Sequence, residues 1–158
     1  MIVVADTSPL IALSRVQRLD LLREMFGTLL LPDAVWNELT GEGMERPGAV
    51  SVLEAKWIER KSVEDRALVS VLRRDLGAGE SEAIALARET NGCVLLMDER
   101  LGRSVAKRLG LQVTGLVGVL VDARERGLLR DPKGVVDDLQ ELAGFWLSPE
   151  LRGLIIGP

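Results

Sequence analysis

Residues 1–13 read MIVVADTSPLIAL and combine a strand, an acid and the start of a helix. The apolar, β-favouring run at 2–5 predicts a buried strand. This strand runs directly into the carboxylate of Asp6, and a helix is predicted to follow at once, with Ser8 as its N-cap and Pro9 at its first position. A core strand that ends on an acid raises the question of what the acid binds.

Strand-like runs alternate with helical patterns along the rest of the chain. The further predicted strands are 28–31 (TLLL), 57–59, 93–97 (CVLLM) and 111–114 (LQVT). The further predicted helices begin near 19, 33, 80, 99, 115 and 132. Strands that are apolar on both faces and alternate with helices predict an α/β fold in which a parallel sheet is covered on both sides.

Composition excludes several classes of protein. The chain has 158 residues, 47% of them hydrophobic, and a net charge of −4, which suits one compact domain. No apolar stretch approaches the ~20 residues of a membrane helix, and no signal-peptide pattern surrounds the first strand. The single cysteine, Cys93, cannot form an intramolecular disulfide and favours a cytoplasmic location.

The absence of histidine limits the chemistry. With no histidine and one cysteine, a tetrahedral zinc site of the usual kind and a histidine-based triad are both excluded. Catalysis would therefore depend on carboxylates, a metal ion, arginine, lysine or hydroxyl groups.

Carboxylates follow the predicted strands. Asp6 and Asp98 stand directly after two strands, and Glu38 lies on the helix after the second strand. Glu80 and Glu82 open the helix that leads to the fourth strand. Because ligands bind outside the carboxyl ends of parallel strands, we expect these acids to meet at one edge of the sheet.

Each acid taken singly has a structural explanation as a helix cap or as a partner of a helix dipole. A cluster is different, because two like charges ~4 Å apart repel by about 4 kcal/mol at the effective dielectric of a protein surface. A cation would hold such a cluster together. Mg²⁺ or Mn²⁺ with oxygen ligands is the preferred interpretation, and the chemistry it favours is metal-assisted attack on a phosphodiester.

Five segments carry a resemblance to a known family. ADTSPLIAL, LPDAVWNEL, LGAGESEAIALA, LLMDERLGRSVAKRLG and TGLVGVLVDARERGLL occur in that order. Together they resemble a PIN domain, and in particular the short prokaryotic PIN proteins similar to VapC-type toxins. The resemblance covers nearly the whole chain, so we predict a PIN-like nuclease domain at 1–147 and a C-terminal extension at 148–158 that packs on the domain or at an interface.

The resemblance implies a three-layer α/β/α sandwich around a five-stranded parallel sheet of order 3-2-1-4-5, and a metal-dependent endoribonuclease. Asp6, Glu38 and Asp98 match acidic positions of the family. The third acid is ambiguous, because the helix pattern places Glu82 on the family position while Glu80 stands two residues earlier. The two point in different directions on a helix. We favour Glu82 as metal ligand and catalytic acid and keep Glu80 as its alternate.

Several side chains are candidates for holding RNA. Arg100, Arg103 and Lys107 form one stripe on the helix after Asp98, where they would contact phosphates, although a solvated helix face is an equally good explanation of each. Ser8 matches a family hydroxyl that helps to orient the site. Aromatic residues make up only 3% of the chain, so recognition is expected to address the RNA backbone.

The resemblance also implies partners. It suggests a homodimer, and an antitoxin protein if the chain is the toxin of a toxin–antitoxin pair. The alternative function is a catalytically silent PIN-fold protein that binds RNA or serves as a regulatory scaffold.

Overall fold

The computed structural model describes residues 1–41, 52 and 54–158. Its strands are β1 (Ile2–Ala5), β2 (Thr28–Leu31), β3 (Ile58–Arg60), β4 (Val94–Leu96) and β5 (Val113–Thr114). They form a five-stranded sheet of order β3-β2-β1-β4-β5, in which every pair is parallel. The expected sheet and its strand order are confirmed.

Helices connect the strands and cover the sheet. In the described residues they are α1 (Thr7–Arg15), α2 (Asp20–Phe26), α3 (Asp33–Thr40), α4 (Arg66–Leu72), α5 (Ala78–Arg88), α6 (Arg100–Arg108), α7 (Leu116–Glu125), α8 (Pro132–Glu141) and α9 (Pro149–Ile156). Helices α4 and α9 were not predicted from the sequence. Helix α4 has only seven residues, and its apolar residues include the exposed Val71, which obscures the 3.6-residue period.

Both faces of the sheet are buried because successive strand residues point to opposite sides. Val3 and Ala5 of β1 pack into a core shared with α1, α2, α7, α8 and α9. Val4, between them, packs into a second core shared with α4, α5 and α6. The sheet therefore lies between two helical layers, which confirms the three-layer sandwich.

The start of α1 differs from the prediction. Asp6, not Ser8, is the N-cap: its backbone is extended and its carboxylate accepts a hydrogen bond from the Thr7 backbone N–H at 2.7 Å. The prediction of a Ser8 cap is wrong because the helix begins at Thr7, two residues before the predicted first position at Pro9. Ser8 is exposed in the first turn, whereas Thr7 is buried.

The C-terminal segment forms α9, which packs against α7 and α8. Ile155 is fully buried there, while Trp146 is 76% exposed. No helix within the described ranges has both the length and the apolar character needed to cross a lipid bilayer.

Candidate active site

Asp6 lies where β1 meets its neighbour in the middle of the sheet. Its backbone N–H donates to the Leu96 carbonyl of β4 at 3.0 Å, which extends the pairing of the two strands by one step. The side chain turns into the protein and is only 5% exposed. The acid at the end of the first strand is therefore a buried group at the carboxyl edge of the sheet.

The environment of Asp6 favours its protonated form. Burial is the largest cause and raises the pKa of Asp6 from 3.8 to about 7, although the Thr7 N–H opposes this shift. The negative charges of Glu80, Glu38 and Asp98 raise the pKa further. Three acids from separate parts of the chain thus act electrostatically on the Asp6 carboxyl group.

Glu38 reaches the same place from α3. The Thr7 hydroxyl donates a short hydrogen bond to Glu38 Oε2. A Cβ atom added to Gly79 of α5 would lie 2.9 Å from both carboxylate oxygens of Glu38 and 3.2 Å from Asp6 Oδ1. The two acids therefore meet over the backbone of Gly79, at a point where only glycine leaves room for them.

Asp98 occupies the edge beyond β4. Its Oδ1 accepts a hydrogen bond from the Leu116 N–H at the start of α7, at 2.9 Å. Its Oδ2 is buried and has no hydrogen-bond partner among the described residues. Burial raises the pKa of Asp98, while the Leu116 N–H and the nearby Arg103 lower it. A buried carboxylate oxygen without a protein partner is unusual, and this one has lone pairs available to a further ligand.

Arg103 lies beside Asp98. Its Nη1 donates to the Met97 carbonyl at 2.9 Å. A Cβ atom on Gly115 would come within 2.7 Å of both Arg103 Nη1 and Asp98 Oδ1. Asp98 and Arg103 also line a cleft of about 370 Å³ that opens along β5 and the first turn of α7.

The other two cations of the predicted stripe are placed further out. Arg100 and Lys107 are exposed on α6, the helix that carries the partly buried Arg103. The structure therefore brings Arg103 to the acidic edge and leaves the other two on the surface of the same helix.

Glu80 stands in the first turn of α5. Its Oε2 accepts a weak hydrogen bond from the Gly77 N–H at 3.4 Å, so it caps its own helix. Of the three acids whose charges raise the pKa of Asp6, Glu80 has the largest effect. Of the two candidates for the third acid, Glu80 is therefore the one whose charge raises the pKa of Asp6.

Glu82, which the sequence analysis favoured, has a different set of contacts. It is 8% exposed, and its Oε1 accepts a hydrogen bond from the Ala34 N–H of α3 at 3.0 Å. Its Oε2 lies 3.5 Å from Arg66 Nη2. The structure therefore engages Glu82 with the start of α3 and with α4.

A family model described as a PIN domain matches residues 2–157. This chain belongs to the PIN domain family. PIN domains are generally nucleases and typically use divalent metal ions. No curated protein and no solved structure matches the chain significantly.

The acids of this PIN domain fit a hard divalent cation. Carboxylate oxygens are the ligands that Mg²⁺ and Mn²⁺ prefer, and Asp98 Oδ2 is a buried oxygen that lacks a partner. The glycine at Gly79 keeps the space between two acids open. Within the described ranges, no three acidic or cysteine side chains already surround one point as a finished metal site. The fit to a divalent cation therefore rests on the type of ligand atom, which is carboxylate oxygen, and not on a complete set of ligands around one point.

Sequence reasoning missed two residues of the site. Thr7 holds Glu38, and Gly79 lets Glu38 and Asp6 approach each other. Thr7 could have been found from its place directly after Asp6, but the resemblance of residues 6–8 (DTS) to the family motif favoured the hydroxyl of Ser8. Nothing local marks Gly79, since the acids it accommodates are distant in the chain.

Proposed function

We propose that this PIN domain is an Mg²⁺- or Mn²⁺-dependent endoribonuclease that hydrolyses RNA phosphodiester bonds. One observation carries the proposal: Asp6, Glu38, Glu80 and Asp98 approach the carboxyl edge of the sheet from four elements, and the charges of the other three raise the pKa of Asp6. Such an arrangement is unfavourable without a cation. Functional acids commonly occur in clusters of this kind.

Each acid has a role in the proposal. Asp6 and Asp98 would hold the ion, directly or through water, and Glu38 and Glu80 complete the negative charge. A bound divalent ion supplies Lewis acidity for the attacking water and for the phosphate. Thr7 keeps Glu38 oriented through its hydroxyl. The Leu116 N–H fixes one oxygen of Asp98 and leaves the other free to bind.

The substrate would be held through its phosphates. Arg103 lies against Asp98 in the cleft along β5, so its guanidinium is placed to contact a phosphate next to the acids. Arg100 and Lys107, exposed on the same helix, would contact flanking phosphates. Ser8 is exposed one residue beyond Thr7 and offers a hydroxyl to the RNA backbone.

We also propose a biological role and an oligomeric state for the protein. The five motif segments support membership of the VapC-like branch and, with it, the role of a cytoplasmic toxin that is paired with an antitoxin protein. The exposed side chains of Trp146 and Leu154 support a homodimer, because they present apolar surface near the C-terminus.

Cleavage of a labelled RNA with and without Mn²⁺ tests the proposal. We expect cutting that depends on the divalent ion and that Asp6→Asn and Asp98→Asn abolish, with the circular dichroism spectrum unchanged. Equal cleavage by both variants and the wild type would remove the proposed site. A chain that binds RNA but neither binds Mn²⁺ nor cuts would instead be the silent scaffold.

A further inference from the structure

We propose that Glu82 is a positioning residue, not a metal ligand: it fixes the first turn of α3 and thereby places Glu38 in the acidic cluster. This inference rests on the proposed nuclease function, because it concerns how one of the proposed acids is held. Its evidence is a set of contacts that Glu82 makes away from Asp6.

Helix α3 begins without a cap of its own. Its N-cap is Pro32, which makes no side-chain capping hydrogen bond. The first N–H groups of a helix need acceptors from elsewhere. Glu82 Oε1, 48 residues along the chain, supplies one at the Ala34 N–H. A carboxylate of α5 therefore performs the capping that α3 lacks locally.

The second oxygen of Glu82 is engaged as well. Oε2 lies 3.5 Å from Arg66 Nη2, and the Arg66 side chain is 59% exposed. An ion pair with so exposed a partner is weak, so the hydrogen bond to the Ala34 N–H is the stronger contact. One oxygen of Glu82 thus contacts α3 and the other faces α4, so both are directed at neighbouring helices.

The position of Glu38 depends on that contact. Ala34 and Glu38 stand four residues apart on α3, which is about one helical turn. Glu38 has little freedom at its end, because it accepts from Thr7 and borders Gly79. A displacement of the first turn would therefore break these contacts of the Glu38 carboxylate or shift the carboxylate away from Asp6. A shift of about 1 Å in a catalytic group can cost about 10²-fold in rate.

A pair of substitutions separates positioning from ligation. Glu82→Gln keeps an acceptor oxygen for the Ala34 N–H but removes the charge that a metal ligand needs. Glu82→Ala removes both. We expect Glu82→Gln to bind Mn²⁺ within about threefold of wild type by calorimetry without RNA and to cleave RNA at a comparable rate. We expect Glu82→Ala to lose about tenfold or more in kcat, measured where it is fully folded.

Amide hydrogen exchange reports on the contact itself. The Ala34 N–H should be protected in the wild type and in Glu82→Gln and should exchange faster in Glu82→Ala. Glu89→Ala is the matched control, since Glu89 also accepts backbone N–H groups, those of Glu64 and Asp65, at the far end of α5. It should leave the Ala34 amide and Mn²⁺ binding unchanged.

The outcomes distinguish the two proposals. If Glu82→Gln loses Mn²⁺ binding as strongly as Asp6→Asn does, Glu82 is a ligand and the inference is overturned while the nuclease stands. A folded Glu82→Ala variant with wild-type kcat would also overturn it, because the contact would then be merely structural.

If the wild type neither binds Mn²⁺ nor cuts RNA, the nuclease proposal fails. Unchanged Ala34 exchange in Glu82→Ala would show separately that the capping contact is absent. If Glu82→Ala does not fold, Mn²⁺ binding and RNA cleavage by Glu82→Gln decide between positioning and ligation.

Discussion

The Thr7 hydroxyl donates a hydrogen bond to the carboxylate of Glu38, which stands 31 residues further along the chain. Thr7 opens the helix after β1, and Glu38 lies on the helix after β2. The contact therefore joins two successive β–α units at the edge where Asp6 lies. It fixes the direction of one acid relative to another.

Replacing Thr7 by valine tests this link, since valine has nearly the same shape but no hydroxyl. We expect RNA cleavage to fall by about tenfold or more, because Glu38 loses the group that orients it. The free energy of unfolding should fall by only about 1–2 kcal/mol, as for one hydrogen bond. Thr7→Ser keeps the hydroxyl and should retain most of the activity. Full activity in Thr7→Val would show that the bond is dispensable.

The raised pKa of Asp6 predicts how stability depends on pH in the absence of metal. The pKa of Asp6 is about 7 in the folded chain against an ordinary value of 3.8, so between these pH values the folded state binds more protons than the unfolded state. The stabilisation is complete below pH 4 and is lost as the pH rises through 7. The free energy of unfolding should fall over this range by an amount on the order of 4 kcal/mol at most.

Urea unfolding at pH 5 and pH 8 in EDTA measures this effect. Asp6→Asn removes the titrating group and should flatten the profile, leaving the smaller contribution of the same sign from Asp98, whose pKa is also raised. Mn²⁺ at pH 8 should stabilise the wild type more than the variant. A wild-type profile that is flat or rises between pH 5 and pH 8 would contradict the proposed environment of Asp6.

Gly79→Ala tests the space between the acids. The new Cβ would lie 2.9 Å from both oxygens of Glu38, so that carboxylate must move. We expect Mn²⁺ affinity and cleavage to fall by about tenfold or more, while the gain in helix propensity offsets part of any loss of stability. Gly153→Ala, in α9, is the control, because its Cβ would meet no atom within 4 Å. Gly153→Ala should leave Mn²⁺ affinity and RNA cleavage unchanged. Similar losses in Gly79→Ala and Gly153→Ala would refute the steric argument.

Arg103→Gln tests the cation beside Asp98. We expect KM for RNA to rise and the logarithmic salt dependence of binding to become shallower by about one, as for the loss of one phosphate contact. The change should also raise the pKa of Asp98 further, because Arg103 lowers it in the wild type. Arg108→Gln, an exposed change at the end of α6, should have little effect on either quantity. An unaltered KM and salt slope in Arg103→Gln would exclude the phosphate contact.

The sheet was predictable because its signals are local. The β-favouring runs at 2–5 and 28–31 contain no charged residue, and both are strands with the predicted bounds. The later strands depart from the prediction: β3 is shifted by one residue from the predicted 57–59, β4 occupies only Val94–Leu96 of the predicted 93–97, and β5 only Val113–Thr114 of 111–114. The apolar run extends one residue beyond each end of β4, to Cys93 and Met97, so the sequence alone does not mark the ends of the strand.

The acids were predictable as a group but not in their individual contacts. Asp6 and Asp98 follow strands, and that position alone brings them to one edge. The contact that Glu82 makes depends on Ala34, which is distant in the chain and contributes only a backbone N–H. A backbone N–H is present in nearly every residue, so the sequence does not indicate which one a distant carboxylate will contact. The same holds for Thr7, whose hydroxyl matters because of where α3 lies.

The hydrogen bond between Asp98 and the Leu116 N–H has a consequence for biosynthesis. The acids come from positions 6 to 98, but the group that holds the last of them is made only at residue 116. A nascent polypeptide that stops short of α7 leaves that aspartate unsupported, and β5, which borders it, is completed only at Thr114. The cluster is therefore finished late during translation, so truncated products should be inert.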